Sequence, residues 1–415
     1  MRVLLIGSGG REHALAQALK RDSKLTELHV APGNPGIAEI AECHALDIKD
    51  NQEVINLAKK LNIDLIVVGP EAPLVNGLAD ACAANQIPCF GPSKAAAQLE
   101  GSKDFAKQIM KEANVPTARS FTCTTKDEIE RALDSFGAPF VVKHDGLAAG
   151  KGVVVTNDRS EAMAHALLSD RVVIEEYLDG PEVSLFGISD GRVIIPMQPA
   201  QDFKRALDGD LGPNTGGMGA YSPLPWAPKD IEAQVLEKVL RPTIKAMSER
   251  GTPFVGLLYA GLALTSKGIR VIEFYARFGD PETQVLLPRL ETPLAQLLLA
   301  AATGNLSNFP KLDWKTESAV TVVLASENYP AEPIVNLPIS GIENQTSTYI
   351  FQAGTKREDG ILKSSGGRVL TITGLGENLN AARNKAYEVI SKIKLEGSHF
   401  RSDIALKASQ NEIKA

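Results

Sequence analysis

The chain has 415 residues, which is more than one hydrophobic core usually supports, so two to four domains are expected. Hydrophobic residues make up 44% and charged residues 23%, as in ordinary soluble globular proteins. A formal net charge of -6 argues against bulk nucleic-acid binding, and no apolar run is long enough to cross a bilayer. The four cysteines form no CxxC pair and match no zinc spacing, which indicates free thiols in a cytoplasmic protein without a membrane partner.

Residues 1–101 show strands alternating with helices. Apolar strands are expected at RVLLI, ELHV, DLIVVGP and IPCFGPS, and a helix at REHALAQALK follows the first of them. This alternation favours an α/β domain with a doubly wound parallel sheet that is covered on both faces. Ligands of such sheets bind beyond the carboxyl ends of the strands, where GSGGREH, APGNPG and VGPEAP lie.

The rest of the chain divides into four further segments. Residues 102–119 predict a helix, and residues 120–189 predict two helices on a mostly antiparallel sheet, which is an α+β lobe. Residues 190–325 return to long strands, with a helix near 229–250 that Pro242 interrupts. The strands VTVVLAS, TYIFQAGT and GGRVLTITG and a helix from Asn380 to Ile393 come last, and residues 326–415 are expected to form a separate C-terminal domain.

The motif GSGGREH places a glycine-rich turn between the first strand and the first helix. Such a turn presents backbone N–H groups and the positive end of a helix to an anion. The dinucleotide fingerprint requires a third glycine where Glu12 stands, so nicotinamide binding is disfavoured. A carboxylate there would repel a pyrophosphate but accept a sugar hydroxyl or an amine. The motif therefore favours a small phosphate or sugar ligand, with a plain tight turn as the alternative.

The segment KHDGLAAGKG is more specific. Three glycines free its backbone to fold over a ligand and two lysines supply cations, namely Gly146, Gly150, Gly152, Lys143 and Lys151. It is not a P-loop, because GxxxxGK[ST] is absent and strands flank both sides. A flexible glycine hairpin that closes over a triphosphate is the prediction.

The segment VVIEEYLDGPE sets an apolar strand beside Glu175, Glu176 and Glu182. A strand edge offers N–H and C=O groups to an adenine, and an exposed carboxylate can bind the hydroxyls of a ribose. The alternative is that Glu175 and Glu176 only solvate the end of a strand. Together with the neighbouring glycine loop, a nucleotide site is preferred.

The segment DFKRALDGDLGPNTGGMGAY has few core-forming residues. Asp202, Lys204 and Arg205 precede NTGGMG, a run too flexible to be ordered without a ligand or close backbone packing. Long ordered loops of this kind are usually functional, so a ligand-binding loop is favoured over a solvated surface loop.

The segment VIEFYARFGDPET alternates like a strand yet carries several charges. A carboxylate such as Glu273 suits Mg²⁺, which prefers carboxylates together with substrate phosphates. Arg277 lies on the same strand face and could reach a γ-phosphate or an acyl phosphate. The alternative is a buried ion pair between Glu273 and Arg277. Of the histidines, His13 is a candidate for substrate contact, whereas the others are expected to be packing or surface residues: His29, His44, His165 and His399.

At this point the motifs together resemble a known family. GSGGREHALA, APGN, VGPEAPL, GPSKAAAQLEGSK, LAAGKGV, GPNTGGMGAYSP, ARFGDPETQ, AGT and SGGRVL occur in the order seen in the glycinamide ribonucleotide synthetase family of ATP-grasp ligases. The resemblance covers nearly the whole chain and implies an N-terminal (pre-ATP-grasp) domain of residues 1–101, an ATP-grasp central domain made of residues 102–119 and 190–325, a lid of residues 120–189 and a C-terminal domain of residues 326–415. It also implies a cytoplasmic monomer that uses ATP and Mg²⁺ or Mn²⁺ to join glycine to 5-phosphoribosylamine through glycyl phosphate, in purine synthesis.

The resemblance also implies roles for individual residues. It implies catalytic roles for Arg277 and Lys143 and a metal-binding role for Glu273. It implies that the nucleotide is bound by Lys103, Lys143, Gly146, Gly150, Lys151, Gly152, Glu175, Glu176, Tyr177, Leu178 and Glu182. It implies that the substrates are bound by Gly9, Gly10, Arg11, Glu12, Glu71, Asp202, Lys204, Arg205, Asn214, Thr215, Gly216, Gly217, Met218, Asp280, Pro281 and Glu282.

Four positions depart from the family pattern inside otherwise intact motifs. Tyr275 stands where the family has a metal-binding asparagine, His144 replaces alanine, and Phe203 and Gln352 replace histidines. A neutral phenol is a poor Mg²⁺ ligand, so either water completes the metal shell or the site has changed. At least two of the four are expected to meet in the cleft. The alternatives are a ligase with an altered amine or acid substrate and a nucleotide-binding homologue with impaired catalysis.

Overall fold

The computed structural model describes residues 1–147, 152–343 and 346–413. Its first part contains the strands β1 (Arg2–Gly7), β2 (Glu27–Pro32), β3 (Glu42–Cys43), β4 (Leu65–Val68) and β5 (Cys89–Phe90). Five helices accompany them: α1 (Gly10–Lys20), α2 (Asn51–Lys60), α3 (Glu71–Val75), α4 (Leu78–Ala84) and α5 (Gln98–Gly101). All the strand pairs are parallel, in the order β3-β2-β1-β4-β5, so the predicted parallel sheet is confirmed.

Both faces of this first sheet are buried. Val3 and Leu5 pack in one hydrophobic cluster, whereas Leu4 and Ile6 pack in another. A sheet covered on both faces requires apolar side chains at every position, which is why β1 is a continuous apolar run. The carboxyl ends of these strands therefore remain the accessible edge for a ligand.

Helix α6 (Lys103–Glu112) leads into a small antiparallel lobe. The strands of the lobe are β6 (Ser120–Cys123), β7 (Phe140–His144), β8 (Val153–Thr156) and β9 (Val172–Glu175), and its helices are α7 (Lys126–Phe136) and α8 (Arg159–Ala166). The sheet order is β6-β9-β7-β8, with every pair antiparallel. The side chains of Thr125 and Asp158 accept hydrogen bonds from the first turns of the two helices and so fix where they begin. The predicted α+β lobe is confirmed.

A second antiparallel sheet follows. The strands in this region are β10 (Glu182–Asp190), β11 (Ile194–Pro196), β12 (Gln201–Asp202), β13 (Arg205–Leu207), β14 (Leu211–Asn214), β15 (Gly219–Ser222), β16 (Val255–Thr265) and β17 (Gly268–Tyr275). Strands β11-β10-β16-β17 form the sheet, and β13 and β14 form a separate hairpin. Because β10 pairs with β16 along its whole length, the sheet of the lobe ends at Glu175, short of the boundary predicted at residue 189.

The helix predicted near 229–250 is continuous. α9 (Ile231–Val235), a π-helical segment (Leu236–Leu240) and α10 (Arg241–Glu249) follow one another without a gap. Proline lacks an N–H group and its ring clashes with the carbonyl four residues earlier, and the wider π turn just before Pro242 accommodates both. The predicted interruption is therefore a change of helix type and not a break.

The last sheet combines strands from distant parts of the chain. The remaining elements are α11 (Thr283–Leu286), α12 (Leu294–Ala302), β18 (Ser318–Ala325), β19 (Thr348–Gln352), β20 (Thr355–Glu358), β21 (Ile361–Ser364), β22 (Arg368–Gly376), α13 (Leu379–Ile390) and α14 (Leu406–Ser409), with 3-10 turns at Ile37–Glu39, Asp208–Asp210 and Leu306–Asn308. The order β12-β15-β18-β22-β19 joins strands upstream of residue 326 to those of the predicted C-terminal domain. Helix α13 ends at Ile390, three residues before the predicted end.

Two further findings concern the molecule as a whole. None of the helices within the described ranges is long and apolar enough to cross a membrane. The four cysteines are free, as predicted.

Candidate active site

Strand β17 carries an ionised carboxylate at the centre of the candidate site. Glu273 and Tyr275 lie two residues apart, so their side chains project from the same face of the strand. The Tyr275 hydroxyl donates a hydrogen bond to Glu273 Oε1. Burial alone would raise the pKa of Glu273, but the charges of Lys143 and Lys204 outweigh burial and hold that pKa below its ordinary value. An ionised carboxylate is a donor suited to Mg²⁺ or Mn²⁺, so this position fits a divalent metal, with one oxygen already engaged by Tyr275.

Arg277 is held in place by two carboxylates. Its Nη2 lies 3.2 Å from Glu100 Oε1 and its Nε lies 3.4 Å from Glu71 Oε2. Its guanidinium carbon lies 4.8 Å from the centre of the Tyr275 ring. Within the described part of the chain, no ion pair joins Arg277 to Glu273, so the alternative of a buried pair between these two residues is not what the structure contains. Arg277 Nε is also a buried donor without a hydrogen-bond acceptor among the described residues.

Lys143 belongs to a buried charge triad. Glu175 Oε2 lies 3.0 Å from Lys143 Nζ, and Glu175 Oε1 lies 3.0 Å from Lys107 Nζ. Lys143 Nζ also donates to the carbonyl oxygen of Ile272 at 3.0 Å. The Glu175 side chain was expected to contribute to nucleotide binding, but the structure places it against two lysines.

The glycine loop is anchored at its first residues. Lys103 Nζ donates to the carbonyl oxygen of Gly146 at 3.0 Å, and the backbone N–H of Lys103 donates to Asp145 Oδ1 at 2.6 Å. Gly152 closes the far side, where its carbonyl oxygen accepts a hydrogen bond from the His144 backbone at 2.8 Å. Gly150 and Lys151, predicted to contact the nucleotide, lie outside the described residues.

The segment after β9 stays paired with the lobe for one more residue, because the Glu176 backbone N–H donates to the carbonyl oxygen of Arg119 at 3.0 Å. Glu176 lies 2.8 Å from Arg119 Nε through Oε2. Tyr177 is exposed and Leu178 is half-buried, and both lie outside any strand. Farther on, Glu182 Oε2 lies 2.8 Å from Lys204 Nζ. Among the described residues, the N–H and C=O groups of residues 177–178 have no backbone hydrogen-bond partner, and the adenine contact expected there stays a prediction.

A second set of acidic groups surrounds Lys204. Burial raises the pKa of Asp202 to about 7, with Glu282 and Glu182 adding to the shift and Lys204 opposing it. Glu282 Oε1 accepts a hydrogen bond from the Tyr259 hydroxyl at 2.6 Å. Three of the predicted substrate-binding residues, Asp202, Lys204 and Glu282, therefore lie close enough for their charges to interact. Among the described residues, the Arg205 side chain makes no hydrogen bond to Asp202, Lys204 or Glu282. Its Nη1 donates instead to the carbonyl oxygen of Gly212 in its own hairpin, at 2.8 Å.

The carboxylate of Glu12 turns inward. Glu12 Oε2 accepts from the Gly9 N–H at 2.6 Å, and Oε1 accepts from Arg11 Nε at 2.6 Å. A Cβ built on Gly69 would lie 2.1 Å from Glu12 Oε1, so glycine at that position makes room for the carboxylate. Only 2% of Glu12 is exposed. The sequence pointed to a sugar or amine ligand for Glu12, whereas the structure shows it satisfying the start of α1.

Asp280 connects three distant segments. An ideal Cβ at Gly9 would lie 3.7 Å from Asp280 Oδ2, which brings the first loop next to this carboxylate. Arg368 Nη1 donates to the carbonyl oxygens of Asp280 at 2.8 Å and Gly216 at 2.7 Å. Gly217 has a φ of +111° and a Cβ there would lie 2.5 Å from Pro281, so the 214–218 loop requires glycine to approach.

The four departures from the family pattern lie in separate surroundings. His144 stacks on His165 with ring centroids 4.1 Å apart. Phe203 lies under the Arg401 guanidinium at 4.9 Å, and the Gln352 N–H donates to His13 Nδ1 at 2.9 Å. Among the residues described, no hydrogen bond, ion pair or ring contact joins any two of the four. The expectation that two of them meet in the cleft therefore gains no support.

Several residues that complete these networks were not singled out from the sequence: Lys107, Glu100, Tyr259, Gln284 and Arg368. Gln284 Nε2 donates to Asp280 Oδ1 at 2.8 Å and so steadies that carboxylate. Arg368 lies within SGGRVL and Gln284 within GDPETQ, so proximity to a motif was the signal available. Lys107 and Tyr259 sit in a helix and a strand of ordinary composition, where no such signal exists.

The family models for phosphoribosylglycinamide synthetase match the chain in three consecutive parts. The N domain matches residues 1–100, the ATP-grasp (A) domain residues 101–283 and the C domain residues 319–407. Two solved structures share the fold. Phosphoribosylamine–glycine ligase from Thermotoga maritima superposes with a TM-score of 0.85 at 33% identity, covering 98% of this chain and 100% of that one. The biotin carboxylase domain of Hydrogenobacter thermophilus 2-oxoglutarate carboxylase, in complex with MgADP, has a TM-score of 0.75 at 15% identity over 96% of this chain and 91% of that one, which shows the ATP-grasp fold alone.

Relatives of known name match along their full length. The phosphoribosylamine–glycine ligase of Streptomyces coelicolor is 59% identical over 99% of this chain and 100% of the relative. The protein of the same name from Mycobacterium leprae is 52% identical over 100% of both chains. With the three domain models matched in order and full-length relatives at this identity, the chain belongs to the phosphoribosylglycinamide synthetase family.

Proposed function

We propose that this chain joins glycine to 5-phosphoribosylamine, giving glycinamide ribonucleotide, with ATP converted to ADP and phosphate. The observation that carries the proposal is the charge arrangement on β17. Glu273 is ionised because Lys143, Lys204 and Lys103 outweigh the effect of burial on its pKa. One carboxylate among three lysines suits a polyphosphate accompanied by a divalent cation, since the lysines can neutralise phosphate oxygens while the carboxylate binds metal.

The reaction has two balanced steps. A carboxylate oxygen of glycine attacks the γ-phosphorus of ATP, the bond to the β–γ bridging oxygen breaks, and ADP leaves from glycyl phosphate. The amine of 5-phosphoribosylamine then attacks the acyl carbon, phosphate leaves, and the nitrogen loses a proton. Holding both reactants in one cleft supplies much of the acceleration, and exclusion of water prevents hydrolysis of the acyl phosphate.

Individual residues support these steps in different ways. Lys143 and Lys103 neutralise phosphate oxygens, and the hydrogen bond from Lys103 Nζ to the carbonyl oxygen of Gly146 holds Lys103 beside the start of the glycine loop. Arg277, oriented by Glu100 and Glu71, directs its guanidinium to the charge that develops on the transferred phosphoryl group. Adenine is held by the backbone after β9, and Glu182 Oε1 is assigned to the ribose hydroxyls, since Oε2 is paired with Lys204.

The metal position involves fewer protein ligands than the family pattern implies. Glu273 would hold Mg²⁺ or Mn²⁺, and the ion would neutralise charge on the phosphate oxygens when bound. Tyr275 contributes a hydrogen bond to Glu273 in place of an amide ligand.

The second substrate is assigned to the region around Asp280. Gly9, Gly10 and Arg11 form one wall, the 214–218 loop forms another, and Arg368 ties that loop to Asp280. Asp202 and Glu282, which share the environment of Lys204, are assigned to the amine and glycine groups. We also propose a cytoplasmic monomer, as the family resemblance implies, which light scattering after size exclusion can test.

A second candidate is a homologue that binds the nucleotide but turns over poorly. The hydrogen bond from Tyr275 to Glu273 favours it, because that bond occupies one of the two oxygens offered to the metal. The two candidates differ in turnover and not in nucleotide affinity.

The deciding experiment measures ADP release with ATP, Mg²⁺, glycine and freshly generated phosphoribosylamine, with the product identified by mass. The Tyr275→Asn variant is measured in parallel. Glycinamide ribonucleotide from the native chain, at a rate that the variant does not greatly exceed, supports the ligase. ATP binding without product, restored by the variant, supports the impaired homologue. If neither protein forms product, the proposal is overturned and another substrate has to be sought.

A further inference from the structure

A second group of metal-ligating side chains lies at the outer edge of the first sheet, on β2 and β3. His29 of β2 stands opposite Glu42 of β3 in the parallel register. His44 follows β3, and its backbone N–H donates to the carbonyl oxygen of Val30 at 2.8 Å. Strand pairing therefore brings three ligating side chains to one point, although they are separated by up to fifteen residues in sequence.

The distances among the ligating atoms are those of a coordination sphere. His29 Nδ1 lies 3.0 Å from His44 Nε2 and 3.5 Å from Glu42 Oε2, and His44 Nε2 lies 3.7 Å from Glu42 Oε1. Metal–ligand bonds of about 2.0–2.2 Å in a tetrahedron require ligand atoms about 3.3–3.6 Å apart. The observed separations bracket that range, so an ion between them would need only small side-chain rotations.

Two further side chains, Glu27 and Arg2, support the His29 ring from behind. Glu27 Oε2 lies 3.3 Å from His29 Nε2, the ring nitrogen that faces away from the cluster, and Arg2 Nε holds Glu27 Oε1 at 3.1 Å. A carboxylate behind a histidine is the usual outer partner of a metal-bound imidazole, because it fixes the tautomer and increases the basicity of the ligating nitrogen. A hydrogen bond between two histidines would explain the 3.0 Å contact, but it would not explain why Glu42 converges on both rings and Glu27 supports the rear.

Exposure gives an ion access to the cluster. The His29 side chain is 5% exposed and that of His44 is 18% exposed, whereas that of Glu42 is 66% exposed. Two sheltered nitrogens and one solvent-facing carboxylate leave a fourth position for water. This donor set, two imidazoles and one carboxylate, suits a borderline divalent cation better than Mg²⁺, which prefers oxygen.

We propose that His29, Glu42 and His44 form a zinc site that is distinct from the metal position at Glu273. Its effect is structural. The ion joins the two-residue edge strand β3 to β2, whose last residue, Pro32, is followed by a loop that begins at Gly33. A Cβ at Gly33 would lie 2.4 Å from Cys43 Sγ, so β3 and that loop already pack against each other.

The test titrates Zn²⁺ into the metal-depleted full-length chain by calorimetry, with excess Mg²⁺ and ADP present to occupy the nucleotide site. The variants are His44→Gln and Glu42→Gln at two of the three proposed ligands, Glu27→Gln at the carboxylate behind His29, and His399→Gln as a matched control at a histidine outside the cluster. Co²⁺ replaces Zn²⁺ in a parallel experiment, because its visible spectrum reports tetrahedral nitrogen and oxygen ligands.

We expect one Zn²⁺ per chain in the native protein and in His399→Gln, with a tetrahedral Co²⁺ spectrum. His44→Gln should lose this equivalent of Zn²⁺ and the Co²⁺ bands, and Glu27→Gln should bind about 10–100-fold more weakly. Circular dichroism confirms that each variant is folded, and the exposed position of Glu42 makes Glu42→Gln the safest variant in this respect. The proposal is overturned if the native chain binds no Zn²⁺, or if His44→Gln and Glu42→Gln both bind Zn²⁺ as tightly as the native chain.

Discussion

Tyr275 is bound on both sides by groups of the candidate active site. Its hydroxyl donates to Glu273 and its ring lies 4.8 Å from the Arg277 guanidinium carbon. The ring also contacts that of Tyr259, whose hydroxyl reaches Glu282. A phenol here therefore links the carboxylate proposed for the metal to the arginine proposed for the phosphoryl group. These contacts explain how the bulky Tyr275 side chain is accommodated. They also show that its hydroxyl occupies one oxygen of Glu273, which is then less available to a metal ion.

Replacement of Tyr275 by asparagine should strengthen metal binding. The change frees Glu273 Oε1 and adds an amide oxygen, so we expect the Mn²⁺ dissociation constant in the presence of ADP to fall by about tenfold. Electron paramagnetic resonance of free Mn²⁺ measures it directly. Tyr275→Phe is the matched variant, because it removes the hydroxyl without adding a ligand, and it should give an intermediate value. Equal affinities in all three proteins would show that the hydroxyl does not compete with the metal.

Asp202 should make the protein less stable as the pH rises. The pKa of this carboxyl is about 7 in the folded chain, against an ordinary value of 3.8. Between these values the folded chain holds a proton that the unfolded chain has released, so its contribution to stability is complete below about pH 4 and is lost by about pH 7. Asp202→Asn should therefore gain in Tm relative to the native chain between pH 4 and pH 7, with no further gain above pH 8.

Differential scanning calorimetry across this range measures the effect. The matched control is the same substitution at an exposed position, Asp170→Asn, measured over the same pH range. A Tm difference for Asp202→Asn that does not vary with pH would contradict the assignment of the raised pKa to Asp202.

At the scale of elements, Glu175 holds α6 against β7. It is the last residue of β9, and its two oxygens pair with Lys107 of α6 and Lys143 of β7. The side chains of Glu175, Lys107 and Lys143 are 4%, 10% and 4% exposed, so the three charges are largely sheltered from water. The triad thus fixes the lobe against the helix that precedes it and positions a lysine proposed to bind phosphate.

Replacement of Glu175 by glutamine should be strongly destabilising. Two buried lysines would lose their counter-charge, and removal of one partner from a buried ion pair costs about 3–5 kcal/mol of unfolding free energy. The adjacent Glu176→Gln is the matched control, because the pair between Glu176 and Arg119 is partly exposed and should contribute less than about 1 kcal/mol. Denaturant unfolding followed by circular dichroism compares the two variants. Similar losses in both would contradict a special role for the buried triad.

Elements with a strong local pattern were predictable from the sequence. The apolar run of β1, the capped helix α7 and the strands of the lobe follow from period and from residues such as Thr125. The contacts that individual side chains make were harder to predict from the sequence. Glu12 and Glu175 are carboxylates beside glycine loops, and sequence position alone does not distinguish a ligand contact from an inward cap or a bridge between lysines. That distinction depends on residues far along the chain, such as Lys107 and Gly69.

At the scale of the whole molecule, the candidate site depends on strand pairs between segments that are far apart in the sequence. β12 and β15 precede the second sheet's long hairpin of β16 and β17, yet they join β18, β22 and β19 in the last sheet. The 214–218 loop between β14 and β15 is consequently carried to Arg368 at the start of β22. Local periodicity gave the strands but not this arrangement, because non-local pairing is decided by the packing of the entire chain. The last sheet thus combines strands upstream of residue 326 with strands of the C-terminal domain expected over 326–415.

Arg368 should therefore affect one substrate more than the other. Its Nη1 donates to the Gly216 and Asp280 carbonyl oxygens and its Nη2 lies 3.4 Å from Asp280 Oδ2, a fork that lysine cannot reproduce. Arg368→Lys should loosen the 214–218 loop and Asp280 together. Loss of one hydrogen bond to a charged group costs about 1.5–3 kcal/mol, so the KM for phosphoribosylamine should rise by about tenfold or more.

The affinity for ADP should stay unchanged in Arg368→Lys, because Lys103, Lys143 and the backbone after β9 lie in other elements. Steady-state kinetics with phosphoribosylamine and calorimetry with ADP measure the two effects separately. Arg357→Lys is the matched control, since Arg357 makes an exposed pair at 3.7 Å with Glu39 and an exposed hydrogen bond at 3.1 Å to the carbonyl oxygen of Gly360, and its replacement should change neither quantity. An equal loss of ADP affinity in Arg368→Lys would mean that Arg368 supports the fold of the whole cleft. An effect on phosphoribosylamine alone would place the second substrate at the junction of the first loop, the 214–218 loop and the last sheet.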